Sequence, residues 1–546
     1  MALSLASTHA SSQTGALPDS PSRIIEEGLR RETQRLSEQP GQAVRDALRP
    51  PEAKASPDKI PQEANCYFIG SIELEGEAVP FEWLRRAATP WLNHCLGVQS
   101  LRQLTHALDD ELLAAGYATS RVTLPAQNLA TGTLRITVHA GRVATIEAEP
   151  GLPWAGAFPI APGEILNIRD LDQGVEQMNR LPSRTVQAEI EPGQEPDTSV
   201  VRIRSRLTES PLRGGLTLDN SGSPSLGRPQ LSASLVFDNP IGLNDLVSVN
   251  ANTNLENLRD DHRSQSLAFS YSIPWGYDLF TLSANTARFS QQVQLTVASV
   301  VSSGRSQGVE LRWDRTLWRN QSSKLGIQGA VSLRRSRSFI DDVELTVQNR
   351  RNSFAIWGLN YKHLFQRASL DGEVSIRKGM GWIGAEPDFD SQVSNGLTLR
   401  PLIWNASVSL NVPAQVSWRS SLRLQHTRHT TLALDHFSIG SRGTVRGFDG
   451  TATLLAESGF AWRNDLSTPL QIGSLPAMGY MAIDVGKVWG PSSQQLAGKY
   501  IAGVALGVRS HWRQLVFDAS LALPLAKPSG FPSARLSPYL SLSYVF

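Results

Sequence analysis

From about residue 210 to Phe546 the chain carries no apolar stripe at helical spacing, and short segments alternate in polarity instead. Leu231, Ala233, Leu235 and Phe237 are interleaved with Ser and Val, and Leu267, Phe269, Tyr271 and Ile273 with Ala and Ser. The last segment puts Leu540, Leu542, Tyr544 and Phe546 on one face and Ser541 and Ser543 on the other. Neighbouring side chains of a strand point to opposite faces, so each segment presents one apolar and one small or polar surface. Clusters of Gly, Asn, Asp and Pro separate them. Segments of about ten residues with turn breaks are the pattern of a transmembrane β-barrel, and at roughly 20 residues per strand and connection the region holds about sixteen strands. A soluble all-β domain can alternate in the same way. Two features favour the membrane. Aromatic residues gather near segment ends (Trp275, Tyr277, Trp313, Trp318, Tyr539, Tyr544), as interface girdles require. Arg312 and Arg334 lie inside alternating segments, where they suit a water-filled lumen.

Composition narrows the function classes. No run approaches the about 20 apolar residues of a membrane-spanning helix, and the mean hydropathy of -0.22 agrees with strands that average out. The 52 basic and 50 acidic residues leave a formal charge of +2, which provides no basic field for nucleic acid. There is no phosphate-cradling Gly-Lys-Ser/Thr loop, no Gly-x-Ser-x-Gly elbow and no His-Glu-x-x-His helix. The expectation is therefore a protein that is not an enzyme, with no cofactor and no metal. His426 and His429, three apart on an expected strand, would face opposite ways and read as rim histidines.

The N-terminal part is organised differently. Residues 1–18 are rich in Ser, Thr and Ala and read as disordered; they do not form a complete signal peptide. Ser20-Pro21 starts a helix over 19–40, with Ile24, Ile25, Leu29 and Leu36 at roughly helical spacing, and Pro40 ends it. Its apolar surface is too small for a core, so it docks elsewhere or stays mobile. A proline-bearing linker covers 41–64. Residues 65–141 read as strand, helix, helix, strand, strand, with Ser100 and Gln103 as a capping box, Leu101, Leu104, Leu108 and Leu112 as a stripe, and Gly116 past the helix end. A similar order recurs over 142–206, where Asn167 caps a helix bearing Leu171, Val175 and Met178. Cys66 and Cys95 fit neither a zinc spacing nor a Cys-x-x-Cys pair; in an oxidising compartment they would form one disulfide, and in a reducing one two buried thiols.

Thr444-Val445-Arg446-Gly447-Phe448 resembles the Val-Arg-Gly-Phe/Tyr loop-tip motif of the Omp85 superfamily, and Ile483-Asp484-Val485-Gly486 resembles its Phe-x-Asp-x-Gly strand motif. Arg463-Asn464-Asp465-Leu466 is similar to the segment between them. Cys66-Tyr67-Phe68-Ile69, Gly116-Tyr117 and Gln127 to Gly132 resemble POTRA units. Two such units, rather than five, point to the two-partner secretion transporters of haemolysins, filamentous adhesins and contact-dependent inhibition toxins. Ala482 stands where that strand motif has an aromatic, and Ser441 where a second glycine is common.

The resemblance implies a mainly β fold in the bacterial outer membrane: a sixteen-stranded transmembrane β-barrel over 207–546, preceded by a plug helix (Ile24, Ile25, Leu29, Leu36) and two α/β POTRA domains in the periplasm. It implies transport, without nucleotide hydrolysis, of a large exoprotein whose N-terminal secretion domain binds the POTRA units. A barrel-assembly insertase is the alternative. Arg446, among glycine-permissive turns, would pair with Asp484, with Gly486 beside it, and fold the loop of Val445, Gly447 and Phe448 back into the barrel. Without the resemblance, Arg446 also reads as an exposed turn residue. Tyr544 and terminal Phe546 resemble the signal read by the barrel-assembly machinery; the same residues also read simply as the end of a closing strand. The expected assembly is a monomer in contact with outer-membrane lipid.

Overall fold

A computed structural model describes residues 48–49, 60–256, 262–294, 299–390 and 396–546. The expected plug helix, including Ile24, Ile25, Leu29 and Leu36, lies outside the described residues.

The first N-terminal unit is a sheet in the order Ser71–Gly76, Thr133–His139, Arg121–Thr123, with the first pair parallel and the second antiparallel. The helix Val98–Ala114 covers one face with Leu104, Leu108 and Leu112, all fully buried. The expected first strand is two strands, Tyr67–Ile69 and Ser71–Gly76; the former pairs with His94–Leu96, and the disulfide from Cys66 reaches Cys95 in the middle of that partner, with 5.2 Å between Cα atoms. The Ser100–Gln103 capping box does not form. The helix starts three residues earlier, with Gly97 as its N-cap, and the carboxylate of Glu63 from the linker accepts from the N–H groups of Gln99 (3.0 Å) and Ser100 (2.9 Å). A longer-range acceptor has taken over the orphan amides of the first turn. The second unit repeats the topology, with strands Arg142–Ala148, Thr198–Leu207 and Arg184–Pro192 and the helix Ile168–Asn179, whose N-cap Asn167 accepts from Arg169 N–H at 2.9 Å.

Sixteen principal strands, from Leu212–Asp219 to Ser537–Val545, close into an antiparallel barrel as Leu218 pairs with Leu542 and Thr217 with Ser543. Closure is obligatory here, because an open edge in hydrocarbon would leave unpaired amides and carbonyls. Leu216, Leu218, Leu235, Phe237, Leu267, Phe269, Leu540 and Leu542 are exposed on the outer face. Arg312 faces inward, where it forks onto Asp314 and reaches Gln328, which donates to Glu373. Two girdle candidates serve other ends: Tyr539 is buried beneath the Arg442 guanidinium, and Tyr277 bonds to the second POTRA unit. His429 lies beyond the strand, which ends at Thr427, so the expected opposite facing of His426 and His429 does not apply.

The second unit seats on the barrel through a polar face that apolar periodicity does not reveal. Gln173, Glu176 and Gln177 of its helix are buried. Gln173 and Gln177 donate to the Gly276 carbonyl (3.3 and 3.2 Å), and Glu176 meets Arg319 (3.2 Å) and Lys324. Arg180 donates to Asn244 O (2.7 Å) and Ser272 Oγ (2.6 Å), and burial pushes its guanidinium down to about 10. Burial likewise raises the Asp170 carboxyl, opposed by the Tyr277 hydroxyl that donates to it.

The amide bonds from Gln99 and then Ser100 hold the Glu63 carboxyl below its ordinary value. A lowered folded-state value means that its contribution exists above the ordinary carboxylate range and is lost as pH falls through the folded value. Glu63→Gln should therefore weaken hydrogen-exchange protection of the first turn of Val98–Ala114 at pH 7, and the difference from wild type should shrink towards pH 3 and below.

Candidate functional site: the loop folded into the barrel

The connection between the strands Ser417–Thr427 and Ser458–Ile472 turns into the barrel. Its arms, Phe437–Ile439 and Leu454–Ala456, pair as a buried hairpin, with Phe437 opposite Ala456. The hairpin and its tip pack with barrel residues in one apolar cluster: Ile439, Val445 and Phe448 against Ala461, Val488, Ile501 and Phe531. The Thr444 hydroxyl accepts from the N–H groups of Gly440 (3.1 Å) and Ser441 (3.2 Å), which closes the turn before the tip.

Arg446 is 4% exposed and Asp484 is fully buried. Arg446 Nε and Nη2 donate to the two Asp484 oxygens, each at 2.6 Å, and the Arg446 backbone N–H donates to the same carboxylate at 2.9 Å. Nη1 and Nη2 also donate to Asp465 at 2.5 and 3.2 Å, and Nη2 reaches the Asn464 carbonyl at 3.4 Å. A guanidinium suits this place because its planar fork satisfies a carboxylate with two parallel bonds and keeps its charge when desolvated. Asp484 is opposite Arg463 in the strand register, with 3.9 Å between Arg463 Nε and Oδ2, so a second cation flanks it.

Glycines allow the close approach. A Cβ on Gly503 would lie 1.8 Å from the Arg446 carbonyl oxygen, and one on Gly447, where φ is +101°, would lie 2.4 Å from the Leu523 carbonyl oxygen. Gly486 lets Ile439 and Val445 rest on the strand at the distance of a missing methyl group. Phe448 meets Phe531 edge-on at 5.9 Å, and Asp449 pairs with Arg228 at 2.9 Å. The structure thus brings Val445, Arg446, Gly447, Phe448, Asp484 and Gly486 together. Sequence reasoning named Asp465 only as part of a segment and missed Gly503 and Phe531. An acidic residue near Asp484 on the paired strand was the available signal for Asp465; nothing in the sequence pattern pointed to Gly503.

The other predicted residues lie elsewhere. Tyr544 and Phe546 stack 6.1 Å apart at the barrel seam, where Phe546 N–H donates to Gly214 O at 3.0 Å and Phe546 O accepts from Gly214 N–H at 2.9 Å. Cys66 and Cys95 are in the first POTRA unit. Among the described residues no cluster of His, Cys, Asp and Glu is arranged to hold a metal ion. What the site does is hold a segment of chain inside the barrel.

A closed barrel with a loop anchored in its interior and two POTRA domains at its periplasmic mouth defines an outer-membrane transporter of the Omp85 fold. Residues 197–510 match the model of the haemolysin secretion/activation protein ShlB/FhaC/HecB family, residues 67–141 the ShlB-type POTRA domain and residues 142–192 a POTRA domain. The chain belongs to the ShlB/FhaC/HecB family. It is 33% identical over 502 residues to the outer membrane transporter CdiB-2 of Burkholderia pseudomallei (strain 1026b), covering 90% of this chain and 85% of that one. It is 27% identical to the hemolysin transporter protein ShlB of Serratia marcescens, over 86% of this chain and 84% of that one. The solved structure of CdiB from Escherichia coli matches with a TM-score of 0.85 at 28% identity, over 98% of this chain and all of that one.

Breaking one side of a desolvated pair costs about 3–5 kcal/mol. Arg446→Ala should free the tip and open residues 440–453 to proteolysis while the barrel stays folded. Gly503→Val, which leaves every charge in place, should produce the same cleavage pattern by pushing the Arg446 carbonyl away.

Proposed function

We propose that this chain carries a partner exoprotein, a haemolysin, adhesin or contact-dependent inhibition toxin, from the periplasm through its barrel to the cell surface. Transport, not catalysis, is its activity, and client folding outside supplies the direction without nucleotide hydrolysis. The observation that carries this reading is the Arg446–Asp484–Asp465 anchor, which commits a long loop to the lumen of an otherwise closed barrel. Tyr544 and Phe546 present the closing strand to the barrel-assembly machinery, and the chain works as a monomer in outer-membrane lipid.

The client enters by adding a strand to a POTRA sheet. Several edges are already filled. The Asn179 carboxamide pairs with both N–H and C=O of Val186 (2.6 and 3.0 Å), Asp109 accepts from Val122 N–H (2.9 Å), and the segment at Gly163–Glu164 bonds Val143. The strand Ser71–Gly76 differs. Ser71 and Glu77 donate inward to Gly132 and Val138, so the alternate N–H groups of Ile72 and Leu74 point outward, and among the described residues they have no acceptor. This edge takes the client's secretion domain.

In a Gram-negative host that also makes a partner exoprotein, wild type should release the client to the medium and Arg446→Ala should not. A photo-crosslinker in place of Glu73 should capture the client, and one in place of Glu189 should not. Equal secretion by both forms defeats the loop's role. Failure of both forms to secrete, with better assembly of other barrels in the presence of the chain, would favour an insertase.

A further inference from the structure

The extracellular ends of four consecutive strands, Asp278–Gln294, Ser299–Arg319, Ser323–Ile340 and Arg350–Leu364, carry an arrangement that transport does not use. Their outer faces are apolar in the middle: Phe280 and Leu282, Val309 and Leu311, Val331 and Leu333, Trp357 and Leu359. Continued towards the extracellular side, the same faces bear Arg288, Arg305, Arg335, Arg337 and Arg351, all exposed. Arg288 is ten residues along from Asp278, at the periplasmic turn. At a rise of about 3.3 Å and a tilt of about 40° this places it ~25 Å up, at the outer boundary of the apolar band.

The register makes the cluster unusual. Arg288 is directly opposite Arg305, Arg305 opposite Arg337, and Arg335 opposite Arg351. Like charges in directly opposite positions destabilise a sheet unless an anion lies between them. Glu344 approaches only Arg337, at 3.9 Å, and among the described residues Arg288, Arg305, Arg335 and Arg351 have no carboxylate partner. An arginine fork is the side chain best shaped for phosphate oxygens.

We infer that this sector binds a phosphate-bearing lipid of the outer leaflet, with its acyl chains along the Phe280–Leu311–Leu333–Trp357 face and its phosphates between the arginines. The inference rests on the outer-membrane placement but not on the identity of the client. The bound lipid cancels the cross-strand repulsion and makes these long strands stiffer in the membrane than in neutral detergent.

The test uses the full purified chain and Arg288→Gln/Arg305→Gln/Arg337→Gln, with Lys487→Gln/Lys499→Gln/Lys527→Gln as a charge-matched control elsewhere on the barrel. Heat-modified gel migration checks that each is a closed barrel. Purified lipopolysaccharide is the probe, against dephosphorylated lipopolysaccharide and phosphatidylcholine. Wild type and the lysine control should bind lipopolysaccharide and gain thermal stability from it. The triple variant should bind at least ten-fold more weakly, and dephosphorylated lipid should not distinguish the proteins. Equal binding by wild type and triple variant overturns the inference. So does full displacement of the lipid by millimolar inorganic phosphate, which would make this a free-anion site. Client secretion is scored separately, so a chain that fails to secrete can still pass or fail here.

Discussion

The buried contact of Arg446 with Asp484 and Asp465 is the interaction on which the interior of the barrel depends. Two buried charges beside a partly buried third are tolerable only when each is satisfied, and here one guanidinium and one amide give Asp484 three bonds while Asp465 takes the remaining fork. The apolar hairpin around it would pack in more than one register. The charge contact admits one, since a fork that misses its carboxylate leaves an unpaired ion in a dry place. Gly447, Gly486 and Gly503 are the steric counterpart, removing the methyl groups that would hold the tip away.

The same economy of side chains for backbone appears at the periplasmic end. The helix Ile168–Asn179 buries glutamines and a glutamate because what it faces is not a core but the carbonyls and cations of barrel turns. A polar dock of this kind holds orientation without the large apolar area that would make it permanent. Asn179, Asp109 and the Gly163–Glu164 segment fill sheet edges that would otherwise invite indiscriminate strand addition. The Ser71–Gly76 edge is the exception, and its Glu73 and Glu75 share a single nearby arginine, Arg135, at 3.6 and 3.4 Å.

The barrel was legible in the sequence because the lipid-facing residues of a strand recur at period two over most of its length. Leu267 and Phe269, or Leu540 and Leu542, are placed by that constraint alone. The loop site was legible only through resemblance: Arg446 and Asp484 are 38 residues apart, and no local pattern joins them. Local rules failed where a distant group intervened. Ser100 and Gln103 have capping-box spacing, yet Glu63 arrives first and the helix begins earlier. Tyr539 has the position of a girdle aromatic, yet Arg442 from the loop covers it. Gly503 carries no signal at all until the Arg446 carbonyl is seen against it.

The most direct measurement of the central claim is a pair of spin labels on the full chain in lipid, one at Thr451 on the loop and one at Thr468 on the neighbouring strand, read by pulsed dipolar spectroscopy together with secretion of the client. Wild type should give one narrow distance and an active transporter, and Asp484→Asn a broad distribution with secretion lost. A narrow, wild-type distance in Asp484→Asn, or full secretion from a population whose loop has left its place, would contradict the account.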